Sequence, residues 1–411
     1  MSNQGPVQGD APLSGIRVLE IGNYIAGPFC AMQLADLGAD VIKVEAPSGG
    51  DIVRMTGPFK NGESGTFARI NRNKRSLALD LKQDDGKAIF RRLARAADVV
   101  IENLRPGAMA RLGLDYTSLV QSNARLVYVA ASGWGQDGPL AQLPGLDIMV
   151  QARSGLMSIT GEPEGDPVKV GVPICDLVCA LYAALAVMAA LRVRDTTGRG
   201  QLVDVSLFES TMSLAVWEAG RYFTTGEIPA RLGSAHQTSA PYQAIRAQDG
   251  WLTVGATTPK NWQGFCRALG LEALERDARY ADVNLRFTHR AALIDEVEAV
   301  TCRQPVDHWI ERLQQEGVPC APIQDFGQSF NDPQLVTRDY FWDAPHPTMG
   351  PVRQLGSPMR FSRTAGRRGP AAPRLGEDTR AILEELGCPQ AEVDELLRTG
   401  VVAEPQPANR P

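Results

Sequence analysis

Between Ile16 and Glu45 the chain spells out a strand, a helix and a second strand, and no other feature constrains its fold as tightly. Ile16-Arg-Val-Leu-Glu-Ile21 is short and apolar. Pro28 to Leu37 carries apolar residues at helical spacing and stops at Gly38. Ala39-Asp-Val-Ile-Lys-Val-Glu45 is strand-like again. Strands joined through a helix pair in parallel, so this is a βαβ unit, with ligands expected at the strands' C-terminal ends. The alternation continues with strands at Ser76–Leu81, Asp98–Glu102 and Leu126–Ala131, and a helix from Asp84 to Ala97. Gln201–Leu207 follows the turn Thr197-Gly-Arg-Gly200 as a further strand, with one long helix expected from Phe208 to Tyr222. The fold class is therefore α/β, a Rossmann-like, mostly parallel sheet flanked by helices.

The 411 residues, 44% of them hydrophobic, exceed one typical domain. After about residue 220 the character changes: His236 to Pro241 is polar, Gly250–Gly255 is a strand, and Lys260 to Gly317 is mainly helical. The tail returns to Pro- and Gly-rich loops, with helices at Thr379–Glu385 and Ala391–Thr399. The expected plan is a large domain from residues 13–220 and 330–411 and a small domain from 221–329. A polar leader, residues 1–12, is expected to be disordered and lacks the apolar stretch of a signal peptide.

Lysine and arginine number 42 against 47 acidic residues, a net charge of −5 with no basic tract. Neither nucleic acid nor an anionic membrane is an expected partner. Seven cysteines, at 30, 175, 179, 266, 302, 320 and 388, form no CxxC pair, and the four histidines, at 236, 289, 308 and 346, are scattered. That distribution argues for reduced thiols in the cytoplasm and against a metal site. The longest apolar run, Cys175 to Leu191, falls short of the roughly 20 residues a membrane-spanning helix needs, and reads as a buried helix of a soluble domain.

One acidic residue stands at the head of that run: Asp176, within Gly171-Val-Pro-Ile-Cys-Asp-Leu-Val-Cys-Ala180. A carboxylate ahead of a buried helix has lost much of its water, so it either finds hydrogen-bond donors or becomes reactive. Two readings are open: an N-cap that accepts backbone N–H bonds, or a carboxylate nucleophile. Other chemistries lack their motifs. The first βα turn, Gly22-Asn-Tyr-Ile-Ala-Gly-Pro28, is not G-x-G-x-x-G, and no G-x-S-x-G elbow, P-loop or H-E-x-x-H occurs.

Several segments resemble the family III CoA-transferases: Ile25-Ala-Gly-Pro28, Leu37-Gly-Ala-Asp-Val-Ile-Lys-Val-Glu45, Asn71-Arg-Asn-Lys-Arg-Ser76 and Glu102-Asn-Leu-Arg-Pro-Gly107. So do Gly133-Trp-Gly-Gln-Asp-Gly-Pro139, Ser154-Gly-Leu-Met-Ser-Ile-Thr-Gly161 and Thr197-Gly-Arg-Gly-Gln201. The likeness runs from about Leu13 to the last helix. It implies that Asp176 is a nucleophile passing through an aspartyl anhydride and an aspartyl-CoA thioester, that acyl-CoA and a carboxylic acid are the substrates, and that no cofactor is needed. It further implies a homodimer of two interlocked, ring-like chains. By resemblance to formyl-CoA transferase, Ile25 and Ala26 border the pantetheine, Leu79 and Lys82 line the nucleotide, Asn103, Leu104 and Arg105 follow a strand end, and Arg111 lies near the phosphates. A solvated surface charge is the plain alternative for Lys82 and Arg111.

The loop Arg231-Leu-Gly-Ser-Ala-His-Gln237 departs from the Gly-rich lid of formyl-CoA transferase and resembles the succinyl-CoA:dicarboxylate branch, the hydroxymethylglutarate and glutarate CoA-transferases. Arg72, Arg231, His236 and Gln237 are the candidates for the substrate side. His236 either hydrogen-bonds a substrate oxygen or caps local backbone. A rival within the fold is an α-methylacyl-CoA racemase, whose catalytic histidine is replaced here by Leu146 in Gly145-Leu-Asp147. Leu146 cannot move a proton. Asp147 is left either to orient Asp176 or to serve as a turn or cap. A second rival is an acyl-CoA-binding protein without catalysis, which keeping Asp176 among the CoA-contact segments disfavours.

Overall fold

The computed structural model describes residues 11–405. The leader expected over residues 1–12 lies, but for its last two residues, outside them. Contacts divide the chain into two units. One comprises the chain up to Ser154, Val170–Val216 and everything from Val336 onward; the other comprises Gly155–Lys169 and Trp217–Leu335. The segment Gly155–Lys169, expected in the large domain, belongs to the second unit because its backbone is tied there. Gly233 N–H donates to Gly161 O at 3.0 Å and Arg231 Nε to Glu162 O at 3.1 Å.

The first unit is built on strands β1 (Arg17–Ile21), β2 (Asp40–Glu45), β3 (Lys74–Leu79), β4 (Val99–Glu102), β5 (Val127–Ser132) and β6 (Leu202–Ser206). They pair in parallel in the order β3-β2-β1-β4-β5-β6. A short edge strand, Val402–Ala403, adds itself antiparallel to β3. Helix α1 (Ala26–Asp36) crosses from β1 to β2 and α2 (Asp84–Ala96) from β3 to β4; α3 (Asp147–Arg153) and α4 (Ile174–Thr197) come between β5 and β6. Strand residues alternate between two cores, as a period of two requires. Val18, Val41, Val99 and Val127 face α1 and α4, whose contact residues Ala31, Ala35, Ala180 and Ala183 are small and let the helices approach. Leu19, Ile42, Leu77 and Val100 face Ile89, Phe90 and Leu93 of α2. β3 starts two residues earlier than its hydrophobic pattern indicates, because Lys74 is buried there by pairing with Glu20.

Two expectations about helices are corrected. The single helix from Phe208 to Tyr222 is two, α5 (Leu207–Met212) and α6 (Val216–Thr225). Thr211 and Ser213 hydroxyls donate to the carbonyls of Leu207 and Ser210, a local competition that loosens the turn between them. Helix α4 is 24 residues long, beyond the apolar run, and by length and composition alone could cross a bilayer. It packs on the sheet and α1 instead. Nor is it buried all round: Leu181, Leu185 and Met188, spaced i, i+4, i+7, are 51%, 63% and 37% exposed.

The second unit has a three-stranded antiparallel sheet of β7 (Tyr242–Arg246), β8 (Trp251–Gly255) and β9 (Cys320–Pro322), with β8 central. Helices α7 (Pro259–Leu269), α8 (Arg290–Thr301) and α9 (Val306–Gln315) pack on it around Trp262, Phe265, Tyr280, Leu293 and Trp309.

Candidate functional site

Asp176 is the third residue of α4, and Pro173 in the cap position supplies no side-chain bond to the helix. That task falls to Asp147, the first residue of α3. Its Oδ1 accepts from Cys175 N–H at 2.8 Å and lies 3.4 Å from Asp176 N. Its Oδ2 accepts from Gln151 Nε2 at 2.6 Å, and Gln151 Oε1 in turn accepts from Val170 N–H at 2.8 Å. Of the two readings of Asp176, the N-cap one is overturned: Asp147 is the cap, reaching across from another helix. Among the described residues no hydrogen bond reaches the half-buried carboxylate of Asp176. Burial, helped by the negative charge of Asp147, pushes its carboxyl up to about 7. A carboxylate without donors, at a helix start whose N–H groups are already taken, is poorly stabilised as an anion and correspondingly reactive.

The first βα turn, at the C-terminal end of β1, carries Ile25, half-buried, and Ala26, 1% exposed. It meets the end of β4 through Asn103. Asn103 Oδ1 accepts from Asn23 N–H at 2.9 Å, while its Nδ2 donates to Asn23 O at 2.8 Å. A Cβ added at Gly27 would stand 3.0 Å from Asn103 Oδ1, tighter than an ordinary contact, so a larger residue there would push the Asn103 side chain aside by a few tenths of an ångström. Leu104 follows, its N–H donated to Glu102 Oε2 at 2.7 Å. Burial pushes the Glu102 carboxyl up to about 7, with Asp204 adding repulsion and the Leu104 N–H opposing. Arg105, Arg111 and Lys82 are exposed, and none makes an ion pair with a described residue. The turn and the loop after β4 are thus brought together at the sheet's C-terminal edge.

Two expected contacts are corrected. Leu79 is 1% exposed and belongs to the core beneath the sheet, so its side chain cannot line a nucleotide. Arg72 is no free substrate cation. It is 4% exposed, with Nε and Nη2 on the Asp36 carboxylate at 3.0 and 2.6 Å and its guanidinium over Trp342. The N-R-N-K-R motif reads identically for a structural and a functional arginine; only the buried Asp36 decides.

Arg231, His236 and Gln237 lie in the second unit. Arg231 donates to a carbonyl and to no carboxylate there, and Gln237 Nε2 donates to Glu218 Oε1 at 3.2 Å. His236 Nδ1 accepts from Thr238 N–H at 3.2 Å, which leaves the proton on Nε2 as a free donor. Its ring stacks on Tyr242, 4.7 Å between centroids and 10° between planes, with Trp217 edge-on at 5.7 Å. Gln151, Trp217 and Tyr242 are not among the candidates the sequence offers, and of these only Gln151 carries a signal, its position four after Asp147; Glu102 is legible only as the strand end that opens a family-like segment. A cavity of about 520 Å³ lies elsewhere, along the tail, lined by Arg338, Trp342, Arg360, Phe361 and Arg363 among others, and holds none of the expected site residues.

The pattern of CoA-transferase family III matches residues 13–379. The succinate–glutarate CoA-transferase of Agrobacterium fabrum is 37% identical over 91% of this chain and 96% of its own length. The acetyl-CoA:oxalate CoA-transferase of Acetobacter aceti is 35% identical over 95% of this chain and 100% of its own. Among solved structures, a CAIB/BAIF family protein from Brucella suis superposes with a TM-score of 0.84 at 37% identity, covering 92% of this chain and 100% of that one.

Proposed function

The chain belongs to CoA-transferase family III, and from that premise we propose that it moves CoA from an acyl-CoA, succinyl-CoA foremost, to a dicarboxylate through covalent states on Asp176. The observation that carries the reading is the Asp176 carboxylate, half-buried, without a hydrogen-bond donor among the described residues and raised to about 7 beside a helix start that Asp147 has already capped. Asp176 attacks the thioester carbonyl, the C–S bond breaks, and the acyl group joins the carboxylate as a mixed anhydride while CoA leaves as thiolate. The thiolate then attacks the aspartyl carbonyl and releases the donor acid. The acceptor carboxylate takes the same two steps in reverse. Thioester and anhydride exchange without net change in protons or electrons, so the reaction asks for no metal and no redox cofactor.

CoA is held, in this reading, at the C-terminal edge of the sheet by the turn at Ile25 and Ala26, by Asn103 and Leu104, and by Arg105, Arg111 and Lys82, cations with no ion-pair partner among the described residues. Relatives of near-equal identity are named for glutarate and for oxalate, so overall likeness does not choose the acceptor. With Arg72 committed to Asp36, Arg231 and the Nε2–H of His236 remain to meet a distal carboxylate. The apolar stripe Leu181, Leu185 and Met188, together with exposed Met212, Leu214 and Val216, is a surface a lone chain would not leave in water. In this reading a second copy covers it in an interlocked dimer, and a cytoplasmic location is part of the same proposal.

The test is intact-protein mass spectrometry after incubation with succinyl-CoA. An adduct on Asp176, cleaved by hydroxylamine, is expected in the wild type and none in Asp176→Ala, whose turnover falls by several orders of magnitude while CoA still binds. Full activity in that variant sinks the mechanism.

A further inference from the structure

Glu20, Lys43 and Lys74 take no part in the acyl exchange, yet their side chains are wholly buried under the first βα turn. The Glu20 carboxylate bridges both ammonium groups, with Oε1 2.7 Å from Lys43 Nζ and Oε2 2.8 Å from Lys74 Nζ. Each lysine then reaches a main-chain carbonyl: Lys43 donates to Gly22 O at 2.9 Å and Lys74 to Pro28 O at 2.8 Å. These carbonyls are the two ends of the turn Gly22–Pro28. Lys74 gives its third N–H to Asn71 Oδ1 at 2.7 Å, and Lys43 forms an ion pair with Asp51 Oδ2 at 3.0 Å. Asp51 Oδ1 accepts from Tyr24 N–H at 3.2 Å, and Asn103 grips Asn23.

The turn so held is not a relaxed one. Tyr24 has φ 62°, in the left-handed region that a tyrosine enters only under constraint. At Gly22 an added Cβ would stand 2.6 Å from Glu20 Oε1 and 2.9 Å from Pro28 Cδ. Buried ion pairs are poor sources of stability, since well-packed apolar residues of the same volume commonly do as well or better; what they supply is a fixed position. Every clamp falls on residues 22, 23, 24 and 28, leaving Ile25 and Ala26 between them, at the start of a helix with no side-chain cap.

We infer that Glu20, Lys43 and Lys74 are positioning residues for the CoA arm, locking the Gly22–Pro28 turn in the strained shape that presents Ile25 and Ala26 to the pantetheine. The inference rests on the CoA-transferase reading above. Replacing Lys74 by Met removes the bond to Pro28 O and half of the support of Glu20. Where Lys74→Met fails to fold, the charge-balanced pair Glu20→Gln/Lys74→Met removes the same bond without stranding a buried carboxylate.

The experiment measures CoA binding by calorimetry and steady-state kinetics with succinyl-CoA and glutarate. A folded variant should bind CoA about ten-fold or more weakly and raise the donor KM in proportion, with kcat within about three-fold and the acceptor KM unmoved. Unchanged CoA affinity in a variant with wild-type circular dichroism overturns the inference, as does a fall in kcat with donor KM unchanged. A wild-type protein that does not bind CoA overturns the functional reading, and this inference with it.

Discussion

Replacing Asp176 by Asn should stabilise the protein while abolishing its turnover. The structure gives both the sign and the size. The carboxyl rises from an ordinary 3.8 to about 7 because burial and Asp147 disfavour its charge. A raised carboxyl means that the folded chain holds a proton the unfolded chain has already lost. Well below pH 3.8 both states are protonated and the residue costs nothing; as pH climbs from there toward 7 stability is lost, and above 7 the full penalty stands. At about 1.36 kcal/mol per pH unit the penalty is roughly 4 kcal/mol, and solvent at the half-buried group reduces it to about 2. The variant should therefore melt at about the wild-type temperature near pH 4.5 and about 2 to 3 °C higher at pH 8, taking an unfolding entropy of about 2.1 cal/mol/K per residue. Scanning calorimetry of both proteins at the two pH values reads the difference, in which the other titrating groups cancel; mass spectrometry of the same samples excludes deamidation back to Asp. The donor half-reaction of the wild type should rise with pH through about 7 and then level off, because only the ionised carboxylate attacks. Equal melting shifts at both pH values, or a donor rate flat from pH 5.5 to 7.5, refutes the reasoning.

Asp147→Asn keeps an oxygen for the Cys175 N–H but loses the charge, so the acid limb of the wild-type pH profile should move to lower pH by a fraction of a unit to about one unit, with burial left as the main cause. Arg105→Ala and Arg111→Ala should each raise the donor KM about ten-fold and leave the acceptor KM alone; equal effects on both substrates would place these arginines elsewhere. His236→Ala should slow glutarate about ten-fold or more while a matched monocarboxylate loses little, and equal losses would remove His236 from the distal carboxylate. In light scattering the protein should run at twice its 44.4 kDa and stay so on dilution; a monomer in native buffer contradicts the interlocked dimer.

Much of this protein was legible in its sequence because the information is local and periodic. Alternating strands, the Gly38 stop and the helix spacing of Pro28–Leu37 fix a βαβ unit wherever they occur, and motifs in order along the chain identify the family. Asp176 stood out because a charge ahead of a long apolar run is costly to bury. What the sequence could not decide were pairings between residues far apart in the chain. Asp147 and Cys175 are 28 residues apart, and Arg72 and Asp36 are 36 apart. The first pairing took the capping role from Asp176 and left its carboxylate without donors among the described residues. The second turned a candidate substrate cation into a buried brace, although Arg72 and the exposed Arg105 look alike as letters. Lys74 and Glu20 hid the start of β3, since a lysine reads as solvent until its buried partner is known. Charge and hydrogen-bonding capacity are written in the sequence, but whether a group is already satisfied depends on what the fold sets beside it, and only the tertiary structure settles which charges remain free to do chemistry.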